Sequence, residues 1–168
     1  MAINKADIVT NADNLDTQNE KGHYSSIVGI SAHEALSGAA SDNDVILFHE
    51  IPVDALVDSI IFASDDLGAT GDLNIGFYPG PGSGVTIASD SDAVDEDAIG
   101  TAIDVNAAAV APTEIRFETK GIETINQKAW ELAGLSSKPD YGTFYIAGTF
   151  SEASTAAGDV TIRTSYRF

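Results

Sequence analysis

The sequence contains no cysteine and very few basic side chains. Without cysteine there can be no disulfide, no thiolate metal site and no cysteine nucleophile, so packing alone must stabilise the fold. Long apolar runs are lacking too, since no stretch approaches the roughly 20 apolar residues that a membrane-spanning helix needs. The first residues, which include Lys5 and Asp7, lack the apolar core of a signal peptide. We therefore expect a soluble protein with no membrane partner.

Acidic side chains greatly outnumber basic ones, with 26 Asp and Glu against 8 Lys and Arg, which gives a formal net charge of −18. Binding to phosphate requires a basic face, so nucleic acid and anionic membranes are excluded as expected partners. The simplest role for so many carboxylates is to keep a β-rich surface soluble and to discourage self-association.

Short apolar segments separated by turn residues dominate the chain from about residue 24 onward. We predict strands at residues 24–30, 45–50, 57–64, 73–77, 115–118, 143–148 and 160–168. Residues 65–71 and 79–84 are rich in Asp, Gly and Pro and are predicted to be turns, the first as a hairpin or a sheet-crossing connection. This pattern predicts an all-β fold, a two-sheet antiparallel β-sandwich that is jelly-roll-like.

Two segments show helical spacing instead. Between residues 95 and 105 apolar side chains recur at helical intervals behind an acidic first turn. In residues 124–133 they do so again, and Gly134 stands where a helix would stop. We therefore predict one or two short helical inserts in the sandwich.

The chain divides into an arm and one domain. Residues 1–22 are polar and show no apolar periodicity, which predicts an extended N-terminal arm that is mobile, docked on a partner, or frayed without a role. Residues 23–168 have the size of one domain and are predicted to form a single β-sandwich. Their alternation continues to the last residue, so we expect the C-terminus to lie within a sheet.

Each candidate catalytic motif in the sequence lacks a residue that it requires. His33 and Glu34 could start a zinc-protease helix, but Ser37 stands where the second histidine is required. No Gly-x-Ser-x-Gly elbow is present, and the glycine-rich residues 80–84 lack the Lys-Ser/Thr pair of a phosphate loop. The other histidines, His23 and His49, belong to no motif. We predict no catalytic residues, no cofactor and no enzymatic activity.

Two clusters of carboxylates have the short spacing that calcium, an oxygen-seeking ion, requires. The clusters are Asp90, Asp92 and Asp95, next to Glu96 and Asp97, and Asp65, Asp66 and Asp72. Neither fits an EF-hand loop, because Val94 occupies the third ligand position after Asp90 and Asp92. We interpret both as solvated loop and helix-start charges and predict no metal, with cation binding as the alternative.

Trp130 is the single tryptophan. It could stack on a sugar, since jelly-roll domains often bind carbohydrate. Its helical spacing from Ile125, Ala129 and Ala133 favours a core or subunit-interface anchor instead.

Several longer stretches of the sequence resemble those of a known class of proteins. Residues 51–60 continue into 63–78, and 95–99, 121–135 and the closing strand fit the same pattern. The chain resembles, over about residues 45–168, small structural proteins of tailed bacteriophages. The resemblance implies a virion component of the head decoration or cement type, made in the host cytoplasm and located on the capsid surface. It further implies binding to the major capsid protein, often as a trimer, while the arm is not part of it.

The leading hypothesis is therefore a non-enzymatic virion protein that decorates the capsid. Two alternatives stay open. One is a carbohydrate- or receptor-binding module of a phage tail or fibre, which would use Trp130 or Tyr141 as its contact. The other is a structural tail protein.

Overall fold

A computed structural model describes residues 3–5, 27–106 and 108–168 of the chain. Most of the predicted arm, together with His23 and the start of the first predicted strand, lies outside these residues. The described part of the arm is a three-residue strand, so the division at residue 22 stays a prediction.

The described residues form nine strands, one short α-helix and two 3-10 turns. The strands are β1 (Ile3–Lys5), β2 (Val28–Leu36), β3 (Val45–Pro52), β4 (Leu56–Ser64), β5 (Asp72–Pro79), β6 (Asp95–Asp104), β7 (Val110–Glu114), β8 (Thr143–Glu152) and β9 (Gly158–Arg167). The helix is α1 (Ala129–Leu132), and the 3-10 turns are Asp90–Asp92 and Ile122–Thr124. None of the described helices is long and apolar enough to cross a membrane.

The strands build two sheets. Sheet 1 has the order β1-β3-β8-β5-β6 and sheet 2 the order β2-β9-β4-β7. β2 pairs with β9, β3 with β8, β4 with β7 and β5 with β6, all antiparallel, while β1 adds to the β3 edge in parallel. The chain is thus a ribbon of nested strand pairs rolled so that successive strands cross between the sheets, which is the jelly-roll arrangement. The predicted antiparallel sandwich and its jelly-roll variant are both confirmed.

The core lies between the two sheets. Alternate residues of β9, β4 and β2 point inward from sheet 2, and aromatic side chains fill the facing side of sheet 1. Five phenylalanines are fully buried: Phe48, Phe62, Phe77, Phe144 and Phe150. Each contributes about 2 kcal/mol of transfer free energy, so packing stabilises the sandwich without a disulfide.

The connection at residues 65–71 leads from β4 in sheet 2 to β5 in sheet 1. Of the two predicted possibilities, the sheet-crossing connection is correct. Crossing at this point is what places the consecutive strands β4 and β5 in opposite layers.

The helix predicted for residues 95–105 is wrong, because this segment is strand β6. It pairs with β5 from Asp95 opposite Phe77 to Asp104 opposite Asp72, and the register shifts twice. Because of these shifts, the consecutive residues Ala98 and Ile99 are both buried. The apolar residues of this strand therefore do not alternate, and their spacing resembles that of a helix. Hydrogen bonds to β5 then outweigh the weak local helix signal.

The strand predicted for residues 115–118 is also wrong. β7 ends at Glu114, and the chain turns so that the Glu118 N–H donates to the Ile115 carbonyl at 3.1 Å. Ile115 and Arg116 are both buried although they are consecutive, which an alternating strand does not allow. Arg116 tolerates burial because its guanidinium bonds to Val57 and Thr124.

The second predicted helix is real but short. It is restricted to α1, since Lys128 forms a bridge with Leu56 and keeps the chain extended just before the helix. Gly134 ends α1 with a φ of 71°, a conformation that glycine adopts at little cost. The predicted stop is therefore correct.

Candidate interaction surface

The first carboxylate cluster does not converge on one point. Asp92 accepts hydrogen bonds from the N–H groups of Ala88 (2.7 Å) and Ser89 (2.9 Å), which lower its pKa. Asp95 lies on β6, 3.7 Å from the Lys120 ammonium, and burial raises its pKa. Asp90 and Asp92 are the first and last residues of the 3-10 turn Asp90–Asp92. These carboxylates stabilise local backbone and an ion pair.

Two carboxylates of the second cluster also accept backbone hydrogen bonds. Asp65 accepts the N–H of Asp159 at 3.0 Å, and Asp66 accepts the N–H of Gly68 at 2.8 Å. Asp72 is the first residue of β5 and lies opposite Asp104 and Glu152 on the neighbouring strands. Within residues 3–5, 27–106 and 108–168, no group of three or more His, Cys, Asp or Glu is arranged to hold a metal ion.

Trp130 lies on α1 and is partly buried against the core. The helix packs on the loop between β3 and β4. The backbone N–H of Trp130 donates to the Val53 carbonyl (3.1 Å), and the backbone N–H of Ala129 donates to the Ala55 carbonyl (2.8 Å). Part of the indole thus stabilises the fold, as the anchor interpretation expects. An interface role for its exposed part stays a prediction.

The two described histidines lie in different environments. His33 is half-exposed on β2, with Nε2 3.2 Å from an Asp159 carboxylate oxygen, and Ser37 follows that strand in a loop. His49 is completely buried on β3, and burial lowers its pKa to about 3. Neither of its ring nitrogens has a hydrogen-bond partner among the described residues. A neutral imidazole enclosed in this way cannot exchange protons with a substrate at neutral pH.

The outer face of sheet 1 is covered by the protein itself. Val45, Leu47, Tyr78, Tyr145 and Ala147 form a small second core there. Two side chains from the β5–β6 connection, Ile87 and Ala93, pack against it. A cleft of about 260 Å³ remains beside this cover, lined by Leu47, Pro79, Pro81, Val85, Ile87 and Tyr145. The cleft is open to solvent, and its lining combines these apolar side chains with the hydroxyls of Thr86 and Tyr145.

Among the described residues, the outer face of sheet 2 is more exposed, and we call it the open face. The strand register places its side chains in three ranks across β2, β9 and β4. The ranks are Gly29, Ser165 and Ser59; Ser31, Arg163 and Ile61; and His33, Thr161 and Ala63. All nine residues are at least partly exposed, and Ile27, which is 65% exposed, continues the face beyond Gly29. A flat β surface of this kind can bind another protein.

The charges are distributed unevenly between the ends of the sandwich. At one end lie residues 36–45, 64–72, 104–106, 108–110 and 152–158, which contain no Lys or Arg. Their carboxylates are Asp42, Asp44, Asp65, Asp66, Asp72, Asp104 and Glu152, and we call this region the acidic end. Lys128 and Lys138 both pair with Asp54 at the opposite end, and Arg167 pairs with Asp58. The basic side chains of the connections thus lie away from the acidic end, at an end that also carries carboxylates such as Asp92, Glu123 and Glu131.

Sequence reasoning missed the open face. The signal was present in the alternation of β9, where Thr161, Arg163 and Ser165 stand between buried apolar residues. What the sequence did not reveal is that β2 and β4 flank β9, because strand neighbours depend on the topology.

No protein-family model and no curated protein sequence matches the chain. Solved structures do match it. One is a chain in the capsid of Ralstonia phage GP4, with a TM-score of 0.65 and 15% identity over 99% of this chain and 97% of that chain. Another is a chain in the capsid asymmetric unit of cyanophage Pam1, with a TM-score of 0.57 and 17% identity over 88% of this chain and 89% of that chain. These likenesses establish a shared fold, and they confirm at that level the resemblance to bacteriophage structural proteins.

Proposed function

We propose that this chain is a non-enzymatic structural protein of a bacteriophage virion, and that it decorates the head by binding the major capsid protein. The observation that carries the proposal is the fold match over nearly the whole length of both chains to a chain in a phage capsid. A shared fold does not fix a function by itself. The match gains weight because the sequence independently resembles phage structural proteins.

The chemistry of the described residues supports a role without catalysis. Asp65, Asp66 and Asp92 accept backbone hydrogen bonds, Asp95 pairs with Lys120, and His49 is enclosed in the core. A sandwich with an exposed sheet face is suited to binding another protein rather than to catalysing a reaction.

A decoration protein acts by adding contact area across the boundaries between capsid subunits. Each contact that exists in the assembled shell and not in free subunits stabilises the shell by mass action. A trimer would multiply weak contacts through avidity. The proposed location is the capsid surface, where a net charge of −18 keeps the exposed side soluble.

Cryo-electron microscopy of the parent virion tests the proposal, with purified protein added to empty heads as a second measurement. We expect density for the sandwich on the outer head shell, and saturable binding that raises the temperature at which the heads disrupt. Density on a tail fibre together with hits on a glycan array would support the carbohydrate- or receptor-binding alternative. Assembly into tubes or rings on the tail would support the structural tail protein.

A further inference from the structure

The open face stands out because its carboxylates lie at its border, at Glu114 opposite Ile61 and at Asp159 opposite Ala35, and not in its centre. None of its nine residues is Asp or Glu, although the chain has 26 such residues in 168. The nearest acids at its border already have partners. Asp159 pairs with His33, and Glu114 accepts hydrogen bonds from Ser59 and from the Ile60 N–H.

Arg163 occupies the centre of this face, between Ser31 on β2 and Ile61 on β4. Its side chain is exposed, and it forms no ion pair with any carboxylate of the described residues. By contrast, Lys120, Lys128, Lys138 and Arg167 are all paired. An arginine surrounded by small side chains and flanked by an aliphatic one has the composition of a protein-binding centre, where Arg is enriched and acids are depleted.

The complementary surface is present on the same molecule. The acidic end contains seven carboxylates and no Lys or Arg, although Asp44 is buried there. Asp42 and Glu152 are exposed there, at the tips of the turn before β3 and of strand β8. Such an end repels another copy of itself but attracts a guanidinium that has no partner.

We propose that the open face binds the acidic end of a second copy of this chain, with Arg163 paired to carboxylates of that end. The contact is heterologous, since it joins two different surfaces, and a heterologous contact repeated around an axis closes a ring. The proposal specifies the surfaces of the homo-oligomer that the proposed function invokes, and it rests on that function only for the expectation of an oligomer. The open face alone is roughly 14 Å by 25 Å, so ring closure is needed to stabilise so small a contact.

Mass measurement by light scattering, across a concentration series of the full chain, tests the proposal. We expect an oligomer for the parent and a monomer for Arg163→Glu, with the dissociation constant raised at least tenfold. Lys138→Glu is the matched control, because it makes the same charge change at an exposed lysine of the opposite end and should keep the parent's mass. Adding Asp42→Lys and Glu152→Lys to Arg163→Glu should restore the oligomer.

Circular dichroism melting must show that each variant remains folded, which is expected because every substituted side chain is exposed. A parent that is monomeric at every concentration overturns the proposal, as does an Arg163→Glu variant with the parent's mass. An oligomer lost in Arg163→Glu but not restored by the two lysines overturns the pairing with the acidic end. Binding to empty heads is measured separately, so a failed oligomer contact is distinguishable from a failed decoration function.

Discussion

His49 lies directly opposite Ile146 across the β3–β8 pair, one residue after the strand bulges at Phe48. The bulge changes the alternation, so that a histidine follows the buried phenylalanine and is itself fully buried. A polar ring without a hydrogen-bond partner in this position costs stability. It also makes the fold sensitive to acid, because the pKa of His49 is lowered from 6.5 to about 3.

The first prediction concerns this pH dependence. Below pH 6.5 the unfolded chain binds a proton at residue 49, whereas the folded chain stays neutral there until the pH approaches 3. The stability contributed by neutral His49 is therefore complete above pH 6.5 and is lost progressively as the pH falls, by about 2 kcal/mol at pH 5. Urea unfolding at pH 7.5 and pH 5 should show this loss in the parent, and a smaller loss in His49→Leu.

His33→Gln is the control, because His33 is half-exposed and substituting it removes no buried imidazole. His49→Leu should also be more stable than the parent at pH 7.5, by roughly 1–3 kcal/mol, since two unsatisfied nitrogens leave the core. An equal loss at pH 5 in the parent and in His49→Leu would contradict the assignment of the acid sensitivity to this side chain.

The second prediction concerns Arg116, whose guanidinium is a structural connector. It donates to the carbonyls of Val57 (3.1 Å) and Thr124 (3.0 Å) and to the Thr124 hydroxyl (3.2 Å). Arg116→Met leaves these carbonyls without a donor in a buried site, so unfolding free energy should fall by about 3 kcal/mol. Arg163→Met should change stability by less than about 0.5 kcal/mol, because Arg163 is exposed. Equal effects in urea unfolding would refute the connector role.

The sequence predicted those strands in which apolar and polar residues alternate as the buried and exposed sides of the strand do. β9 faces the core on one side and solvent on the other, so Val160, Ile162 and Tyr166 alternate with polar residues and are easy to recognise. β6 defeats the same reasoning, because its bulges bury Ala98 and Ile99 in succession and only the neighbouring strand β5 determines where the bulges fall.

The candidate surface shows the same limit. The sequence placed the acidic residues in turns, and the structure confirms turns at residues 65–71. Four such turns meet at one end, and Arg163 lies at the centre of the outer face of sheet 2. Both placements follow from the nested pairing of the jelly roll. Long-range pairing of this kind leaves no local trace in a single sequence.

The third prediction tests the close approach of β6 to β5 at Gly76. A Cβ at this position would lie 2.1 Å from the Asp95 carbonyl oxygen and 2.4 Å from the Glu96 carbonyl carbon. Gly76→Ala must therefore push β6 away and should lower the unfolding free energy by about 3 kcal/mol. Gly38→Ala is the matched control, since no atom of the described residues lies within 4 Å of its Cβ position, and it should be neutral or slightly stabilising. Comparable melting temperatures for the two variants would contradict this packing.

The fourth prediction tests whether the outer face of sheet 1 behaves as a genuine second core. The Tyr78 hydroxyl is 2.8 Å from the Thr149 hydroxyl, both residues are buried, and burial raises the pKa of Tyr78 to about 12. Tyr78→Phe leaves the Thr149 hydroxyl without its partner, so stability should fall by about 1–2 kcal/mol in urea unfolding. Tyr141→Phe removes a hydroxyl from a partly exposed ring and should cost less than about 0.5 kcal/mol. If Tyr78→Phe costs no more than Tyr141→Phe, water reaches the Thr149 hydroxyl and the β5–β6 connection does not seal this layer.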